Sequence, residues 1–210
     1  MENREGQTVS DEKIKTGLFG GSFNPVHNGH VKLARRILKK ARLDEVWLMV
    51  TPQNPWKRQA DLLDDDLRLM LMKKAVDDIP GLVASDYEFH LPKPSYTWDT
   101  LQALSKDYPQ RQFTLIIGGD NWERFGNWYE HDKILENYDI VVYPRRGAVI
   151  DQSTLPPRVQ VLKMTLIDIS STDIRERIQQ GLPIDHLVPP GVAEAIQEGN
   201  LYADTSKADE

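Results

Sequence analysis

Two histidines stand three residues apart, shortly after a pair of glycines, in the stretch GGSFNPVHNGH from Gly20 to His30. Gly20 and Gly21 have no Cβ, so the backbone there can approach a ligand closely. His27 and His30 share one face of a predicted helix start, where free backbone N–H groups and the helix dipole favour anions. Together these features predict a binding site for a polyphosphate.

The histidine pair could also have a structural or a metal-binding role, but the sequence supports these roles less well. The histidines could cap or pack a plain strand–turn–helix junction, but two of them around one glycine favour a ligand site. A zinc site lacks an acidic third ligand at a recognisable spacing, and His90, His131 and His186 are scattered. The sequence therefore predicts no metal site built by the protein. The dinucleotide fingerprint GxGxxG and the phosphate loop GxxxxGK(S/T) are also both absent.

A second group of polar residues precedes a predicted helix near the C-terminal end. Ser170, Ser171 and Thr172 supply hydroxyls, and Arg175 follows Ser171 by four residues on the same helix face. Hydroxyls, free N–H groups and a guanidinium would then converge on one anion. An ordinary N-cap with a surface arginine explains this pattern equally well when the pattern is taken alone.

A doubly wound sheet must position these groups, because apolar strands alternate with helical segments along the chain. Strands are predicted within residues 15–23, 46–50, 82–89, 113–120, 140–143 and 159–169. Helical periodicity lies within residues 33–41, 67–75, 96–106, 172–180 and 192–198. The predicted fold class is α/β: a Rossmann-like parallel sheet with helices on both faces and a short C-terminal helical part. Ligands of such sheets bind beyond the carboxyl ends of the strands.

The composition suits a single globular domain over residues 14–203, with flexible tails at 1–13 and 204–210. Hydrophobic residues make up 40% of the 210 residues and charged ones 28%, which is ordinary for such a domain. No apolar run reaches the roughly 18 residues of a membrane helix, and neither a secretory signal nor a cysteine is present. These features predict a cytoplasmic protein. The net charge of −6 argues against a nucleic-acid partner but allows a locally bound small anion.

The stretch Gly20–His30 resembles the (H/T)xGH signature of the nucleotidyltransferase superfamily. Three further stretches, Ser95–Leu101, Ile116–Glu130 and Ile169–Ile178, are similar to the bacterial nicotinate-mononucleotide adenylyltransferases. The resemblance covers nearly the whole chain. One departure is Asn24, where the family usually has aspartate. Asparagine can accept the same turn hydrogen bond but brings no charge.

This resemblance implies transfer of the adenylyl group of ATP to nicotinate mononucleotide, with Mg²⁺ carried by the ATP phosphates. The products would be nicotinate adenine dinucleotide and pyrophosphate, in NAD biosynthesis. The catalytic group implied is His27, His30 and Arg175. The full set of ATP-binding residues implied is Gly20, Gly21, Ser22, Phe23, His27, His30, Ser171, Thr172 and Arg175.

Candidate residues for binding the acceptor lie in two segments, one at a predicted helix start and one in an aromatic pair. Tyr96 and Thr97 open a predicted helix, so their N–H groups and the Thr97 hydroxyl could bind a carboxylate. Trp128 and Tyr129 could stack on a pyridine ring, although such a pair is more often part of a core. The resemblance implies that the pyridine pocket falls on Thr97, Trp128 and Tyr129.

Charged residues after the predicted strands supply further acceptor candidates. Asp120 could accept a ribose hydroxyl or simply cap the next helix. Lys57 and the pair Arg145-Arg146 could neutralise phosphates, although loop cations are usually only solvated. We assign Lys57, Asp120 and Arg146 to the acceptor on this basis.

Rival functions are compatible with the sequence. One is another adenylyltransferase of the superfamily, with nicotinamide mononucleotide or phosphopantetheine as acceptor. A second is a non-catalytic module that senses ATP. An aminoacyl-tRNA synthetase is disfavoured, because Lys163-Met164 does not continue into a KMSKS loop. The sequence leaves open whether the chain forms a homo-oligomer.

Overall fold

A six-stranded parallel sheet forms the centre of the computed structural model, which describes residues 12–52, 62–165 and 167–203. The strand order is β3-β2-β1-β4-β5-β6. The strands are β1 (Ile14–Gly21), β2 (Glu45–Val50), β3 (Leu82–Ser85), β4 (Arg111–Gly118), β5 (Asp139–Tyr143) and β6 (Val159–Val161). This order and the parallel pairing confirm the predicted doubly wound fold.

Helices follow the strands along the described chain. They are α1 (Asn28–Lys40), α2 (Asp65–Val76), α3 (Thr97–Asp107), α4 (Gly119–Trp122), α5 (His131–Asn137), α6 (Ser171–Gln179) and α7 (Pro190–Glu198). Short 3₁₀ helices occupy Tyr87–His90, Phe125–Asn127 and Gln152–Thr154. In the described part of the chain, no helix has the length and apolar character needed to cross a membrane.

Helices cover both faces of the sheet, because successive strand residues point to opposite sides. In β1, Leu18 belongs to an apolar cluster that includes Leu101 and Leu104 of α3. Its neighbour Phe19 belongs to a second cluster, which includes residues of α1, α2, α6 and α7. The two buried layers fix β1 and β4 at the centre of the sheet and leave their carboxyl ends open for a site.

The strand order reverses between β1 and β4. β1 pairs with β2 on one side and with β4 on the other. The chain leaves β1 at Gly21 and β4 at Gly118, on the same edge of the sheet. A ligand of a doubly wound sheet binds in this crevice.

Two predicted strands are shorter than expected. The segment 82–89 is a strand only to Ser85 and then forms a 3₁₀ helix, because its single partner β2 ends at Val50. The segment 159–169 is a strand only to Val161, because its single partner β5 ends before Pro144, which has no N–H. Ser170 therefore does not follow a strand directly, contrary to the prediction. The tails predicted at 1–13 and 204–210 stay a prediction, since residues 1–11 and 204–210 lie outside the described ranges.

Candidate active site

The two histidines form a capping pair at the start of α1. His27 is the N-cap, and its Nδ1 accepts the backbone N–H of His30 at 3.4 Å. In return, Nδ1 of His30 accepts the backbone N–H of His27 at 3.3 Å. The rings stack with their centroids 3.6 Å apart. A Cβ on Gly29 would lie 2.8 Å from Nδ1 of His27, so this position needs glycine for the pair to form.

Both imidazoles are neutral at neutral pH. Burial lowers the pKa of His27 to about 4, and the nearby charge of Arg145 acts in the same direction. Burial also lowers the pKa of His30 well below its ordinary value, with contributions from His27 and Arg145. Because each Nδ1 accepts a hydrogen bond, the single proton of each neutral ring lies on Nε2. The pair therefore offers two N–H donors to an anion rather than two positive charges.

Arg145 is the cation beside the histidines. Its Nε lies 3.7 Å from Oδ1 of Asp120, the second residue of α4, and its guanidinium lies over the Tyr143 ring at 5.4 Å. Arg146, which the sequence favoured, turns away and pairs with Asp168 at 3.3 Å, where both side chains are 83% exposed. The structure thus brings Asp120 and Arg145 together at the ends of β4 and β5.

The start of α6 binds directly to the turn in front of the histidines. Ser170 is the N-cap, and its hydroxyl accepts the N–H of Asp173. The Ser171 hydroxyl donates to the carbonyl of Pro25 at 2.9 Å. Nη1 of Arg175 donates to the carbonyl of Asn24 at 2.7 Å. The two groups that the sequence singled out, far apart along the chain, are therefore neighbours.

Thr172, the remaining member of the predicted ATP-binding set on α6, is the second residue of that helix and is exposed. Lys57, predicted to bind a phosphate, lies outside the described residues.

The predicted acceptor residues lie in two neighbouring segments. Tyr96 is the N-cap of α3 and Thr97 its first residue. The Tyr96 ring lies 5.0 Å from that of Tyr129, and both side chains are about half exposed. Trp128 is half-buried, with its ring 5.3 Å from Phe125. Trp128 thus contributes to the core on one side, while Tyr129 and Tyr96 present open aromatic surface.

The described cavities do not coincide with the histidine pair. A cavity of about 590 Å³ lies between α2 and α7 and contains none of the predicted site residues. A second, of about 390 Å³, lies beside the aromatic segment and is lined by Trp122 and Phe125 among others. The hydrogen bonds from α6 to the turn before α1 locate the candidate site better than cavity volume does, because an open crevice encloses little space.

Comparison with known proteins identifies the family. The sequence profile of the family described as cytidylyltransferase-like matches residues 18–177. A "probable nicotinate-nucleotide adenylyltransferase" of Bacteroides fragilis (strain YCH46) is 48% identical over 194 residues, which cover 92% of this chain and 96% of that protein. The chain belongs to the nicotinate-nucleotide adenylyltransferases. The enzyme class predicted from the sequence is confirmed.

Solved structures share the fold of this adenylyltransferase. A Plasmodium falciparum nicotinic acid mononucleotide adenylyltransferase complexed with NaAD has a TM-score of 0.73 at 21% identity and covers 90% of this chain and 97% of its own. The same P. falciparum protein complexed with APC has a TM-score of 0.72 at 21% identity, with coverages of 90% and 96%.

Asn24 keeps a side-chain contact in this adenylyltransferase despite lacking the charge of the usual aspartate. Asn24 is buried, and its Oδ1 accepts the backbone N–H of Leu63 at 3.1 Å. An amide oxygen and a carboxylate oxygen can both serve as this acceptor. The substitution therefore does not remove the link between the turn and the segment before α2.

Two charged residues of the adenylyltransferase are buried although the sequence did not lead us to predict a role for them. Arg68 is fully buried in α2. In the sequence, Arg68 stands at helical spacing from the apolar positions 71, 72 and 75, and this spacing indicates a place on the buried face of the helix. Glu88 is buried in the 3₁₀ helix after β3, and no pattern in the sequence marks it.

Glu88 is linked to the start of α3, where acceptor-binding residues were predicted. Oγ1 of Thr100 donates to Oε1 of Glu88 at 3.0 Å and also lies 3.2 Å from the carbonyl of Tyr96. Burial raises the pKa of Glu88 to about 7, and the hydrogen bond from Thr100 offsets only part of that effect. The buried carboxyl group is thus linked through one hydroxyl to the N-cap of α3.

Proposed function

We propose that this adenylyltransferase transfers the adenylyl group of ATP to nicotinate mononucleotide in the crevice between α1 and α6, as a step of NAD biosynthesis. The observation that carries the proposal is the hydrogen bond from Arg175, in the second turn of α6, to the carbonyl of Asn24, in the turn that leads into α1, at 2.7 Å. Two helix starts held next to one another in this way can bind different phosphates of one triphosphate. The P. falciparum structures, which are complexes with NaAD and with APC, support this choice of ligand class.

The reaction is a direct displacement at phosphorus. An oxygen of the acceptor phosphate attacks the α-phosphorus of ATP and forms a new P–O bond. The bond from the α-phosphorus to the bridging oxygen breaks, and pyrophosphate leaves with that electron pair. No protein nucleophile takes part, so the side chains act by positioning and by stabilising charge.

The histidine pair faces the α- and β-phosphates in this proposal. Their Nε2–H groups donate to phosphate oxygens from a buried position, where a preorganised hydrogen bond is stronger than in water. The bare backbone at Gly20 and Gly21 allows the nucleotide to approach the end of β1. A bound polyphosphate raises the pKa of both histidines, because negative charge favours the imidazolium form.

The start of α6 holds the β- and γ-phosphates. Arg175 keeps N–H donors beyond the one that bonds to Asn24 and can bind a phosphate with them. The Ser171 hydroxyl proton is already given to Pro25, so Ser171 would contact phosphate through its backbone N–H. The exposed Thr172 would add its hydroxyl and its N–H.

The acceptor would lie between the start of α3 and the aromatic segment. The N–H groups of Tyr96 and Thr97 favour a carboxylate over an amide, because the helix dipole attracts negative charge there. Trp128 and Tyr129 would contact the pyridine ring. Asp120 would bind the ribose hydroxyls, and Lys57 and Arg145 would neutralise the phosphates. Arg146 would join them only by leaving its ion pair with Asp168.

Magnesium would enter with ATP in this proposal. Among the described residues, no cluster of three or more His, Cys, Asp and Glu side chains is arranged to hold a metal ion. Phosphate oxygens and water would therefore supply the ligands of Mg²⁺, which prefers oxygen and keeps several waters. The proposed cytoplasmic location rests on the amino-acid sequence.

Pyrophosphate release measured with three acceptors tests the proposal. Nicotinate mononucleotide should support release, nicotinamide mononucleotide should support less, and phosphopantetheine should support none. ATP binding without pyrophosphate release from any acceptor would instead favour an ATP-sensing module. Preference for phosphopantetheine would assign a different acceptor and refute the pyridine pocket.

A further inference from the structure

Arg68 binds three separate segments at the carboxyl edge of the sheet. Its Nη1 donates to the carbonyls of Ser22 at 2.7 Å and Thr51 at 2.9 Å. Its Nε donates to the carbonyl of Leu63 at 2.9 Å. Its Nη2 pairs with the carboxylate of Asp65 on the same helix. The side chain is fully buried, so these contacts are shielded from water.

The contacts of Arg68 are concentrated at the candidate site. Ser22 belongs to the turn after β1, Thr51 follows β2, and Leu63 precedes α2. The same Leu63 donates its N–H to Asn24 in the turn. A buried guanidinium is costly unless its donors are satisfied, and here carbonyls of the site's loops satisfy three of them. Arg68 therefore connects the turn to the neighbouring loops.

The peptide between Ser22 and Phe23 shows what this connection achieves. In a trans peptide, the carbonyl and the following N–H point in opposite directions. Because the Ser22 carbonyl points to buried Arg68, the N–H of Phe23 points away from Arg68. Within the described part of the chain, that N–H has no hydrogen-bond partner.

Phe23 also needs support from its surroundings. Its φ of 44° is left-handed, a conformation that a bulky residue adopts only when neighbouring groups hold it. Its ring meets the His30 ring edge-on, with centroids 4.9 Å apart. The conformation of Phe23 thus determines where its unbonded N–H points and places its ring against the His30 ring.

We infer that Arg68 is a positioning residue for adenylyl transfer: it fixes the Ser22–Phe23 peptide so that the Phe23 N–H binds a phosphate oxygen of ATP. This inference rests on the proposed ATP site. Arg68 itself does not touch the nucleotide. It acts through Phe23 and, through the ring of Phe23, on His30.

The first test compares Arg68→Lys with a matched arginine variant, Arg111→Lys. Arg111 is also largely buried and ion-paired, to Glu45 at 2.7 Å, but it begins β4 at the opposite edge of the sheet. Both variants should lower the melting temperature. Only Arg68→Lys should reduce kcat/KM for ATP, by about 10–100-fold, when both are assayed well below unfolding, because a small misplacement of reacting groups has that effect. Equal kcat/KM for the two variants would overturn the inference.

The second test needs no variant and therefore does not depend on folding of Arg68→Lys. The chain contains 5 phenylalanines, so labelling with ¹⁵N-phenylalanine gives few amide signals. Titration of the wild-type protein with ATP should shift the Phe23 amide strongly. A Phe23 signal that does not respond to saturating ATP would refute the inference. A shift with ATP, combined with no pyrophosphate release once nicotinate mononucleotide is added, would instead contradict the proposed function while supporting the contact between ATP and the Phe23 N–H.

Discussion

The rings of His27 and His30 lie face to face, 3.6 Å apart, and each Nδ1 accepts the backbone N–H of the other residue. This reciprocal cap satisfies two N–H groups at the start of α1 and fixes both rings. It leaves the Nε2–H of each ring as the only ring donor. A sequence motif of two histidines is thereby converted into two oriented hydrogen-bond donors.

Replacing His30 tests the contribution of one such donor. We expect His30→Ala to lower kcat by about 10²–10³, the usual loss for one preorganised transition-state donor. Pyrophosphate release measures the effect, and circular dichroism checks the fold. His90→Ala is the control, because His90 is exposed on the 3₁₀ helix after β3. Near-normal turnover of folded His30→Ala would remove this residue from the chemistry.

Gly29→Ala tests whether the stacked pair needs its glycine. The new Cβ would lie 2.8 Å from Nδ1 of His27, so the ring must move and kcat/KM for ATP should fall at least tenfold, as about 1 Å of misplacement allows. Gly191→Ala is the matched control, since Gly191 is likewise the second residue of a helix. Its Cβ would meet nothing closer than 3.6 Å. If both variants keep wild-type kinetics, the position of the His27 ring is irrelevant to catalysis.

Trp128→Ala tests the acceptor assignment. Loss of the stacking face should raise the dissociation constant for nicotinate mononucleotide about fivefold, in line with roughly 1 kcal/mol for an aromatic contact, and leave ATP binding less changed. Calorimetric titration with each substrate measures both constants. Trp122→Ala is the control, because Trp122 also stacks on Phe125, at 5.3 Å. Equal weakening of both substrates by Trp128→Ala would argue against stacking on the pyridine ring.

The pH dependence of the free energy of unfolding should show that His27 is buried in its neutral form. Its pKa of about 4 in the folded protein lies below the ordinary 6.5, so the unfolded chain binds more protons between these values. The free energy of unfolding should therefore fall as the pH drops from about 6.5 to about 4. His27→Asn keeps a capping side chain without the titration and should lose less stability between pH 7 and pH 5 in urea unfolding. Identical losses would show that His27 titrates normally.

Glu88 should have the opposite dependence. Its folded-state pKa of about 7 lies above the ordinary 4.5, so the folded protein binds more protons and stability falls as the pH rises from about 4.5 through 7. Glu88→Gln removes that loss and should be more stable than the wild type at pH 8, by about 1–3 kcal/mol. Guanidinium unfolding at pH 5 and pH 8 measures the difference. Glu136→Gln is the control, because Glu136 is exposed on α5 and its substitution should show no such trend. If the difference in free energy of unfolding between Glu88→Gln and the wild type is the same at pH 5 and pH 8, the Glu88 carboxyl group is not held neutral.

Local patterns in the sequence determined the fold class and the two residue groups of the proposed phosphate site. Apolar strand runs and helical spacing depend on near neighbours in the chain, so the sequence alone indicates them. The same holds for the glycine-histidine turn and for the hydroxyls before α6. Strand ends were less readable: β3 and β6 stop where their single partner strands stop, and pairing is not visible in one strand's own sequence.

Only the tertiary structure decided how the distant groups meet. The bonds from Ser171 and Arg175 to Pro25 and Asn24 join segments separated by 146 and 151 residues, and no local periodicity encodes such a contact. Folding likewise places Arg145, rather than Arg146, beside the histidines. The neutral state of those histidines follows from their burial and from the charge of Arg145. The sequence alone determined which chemical groups the enzyme has. Folding decided which of them are adjacent, dry and oriented, because those properties depend on contacts across the sheet edge.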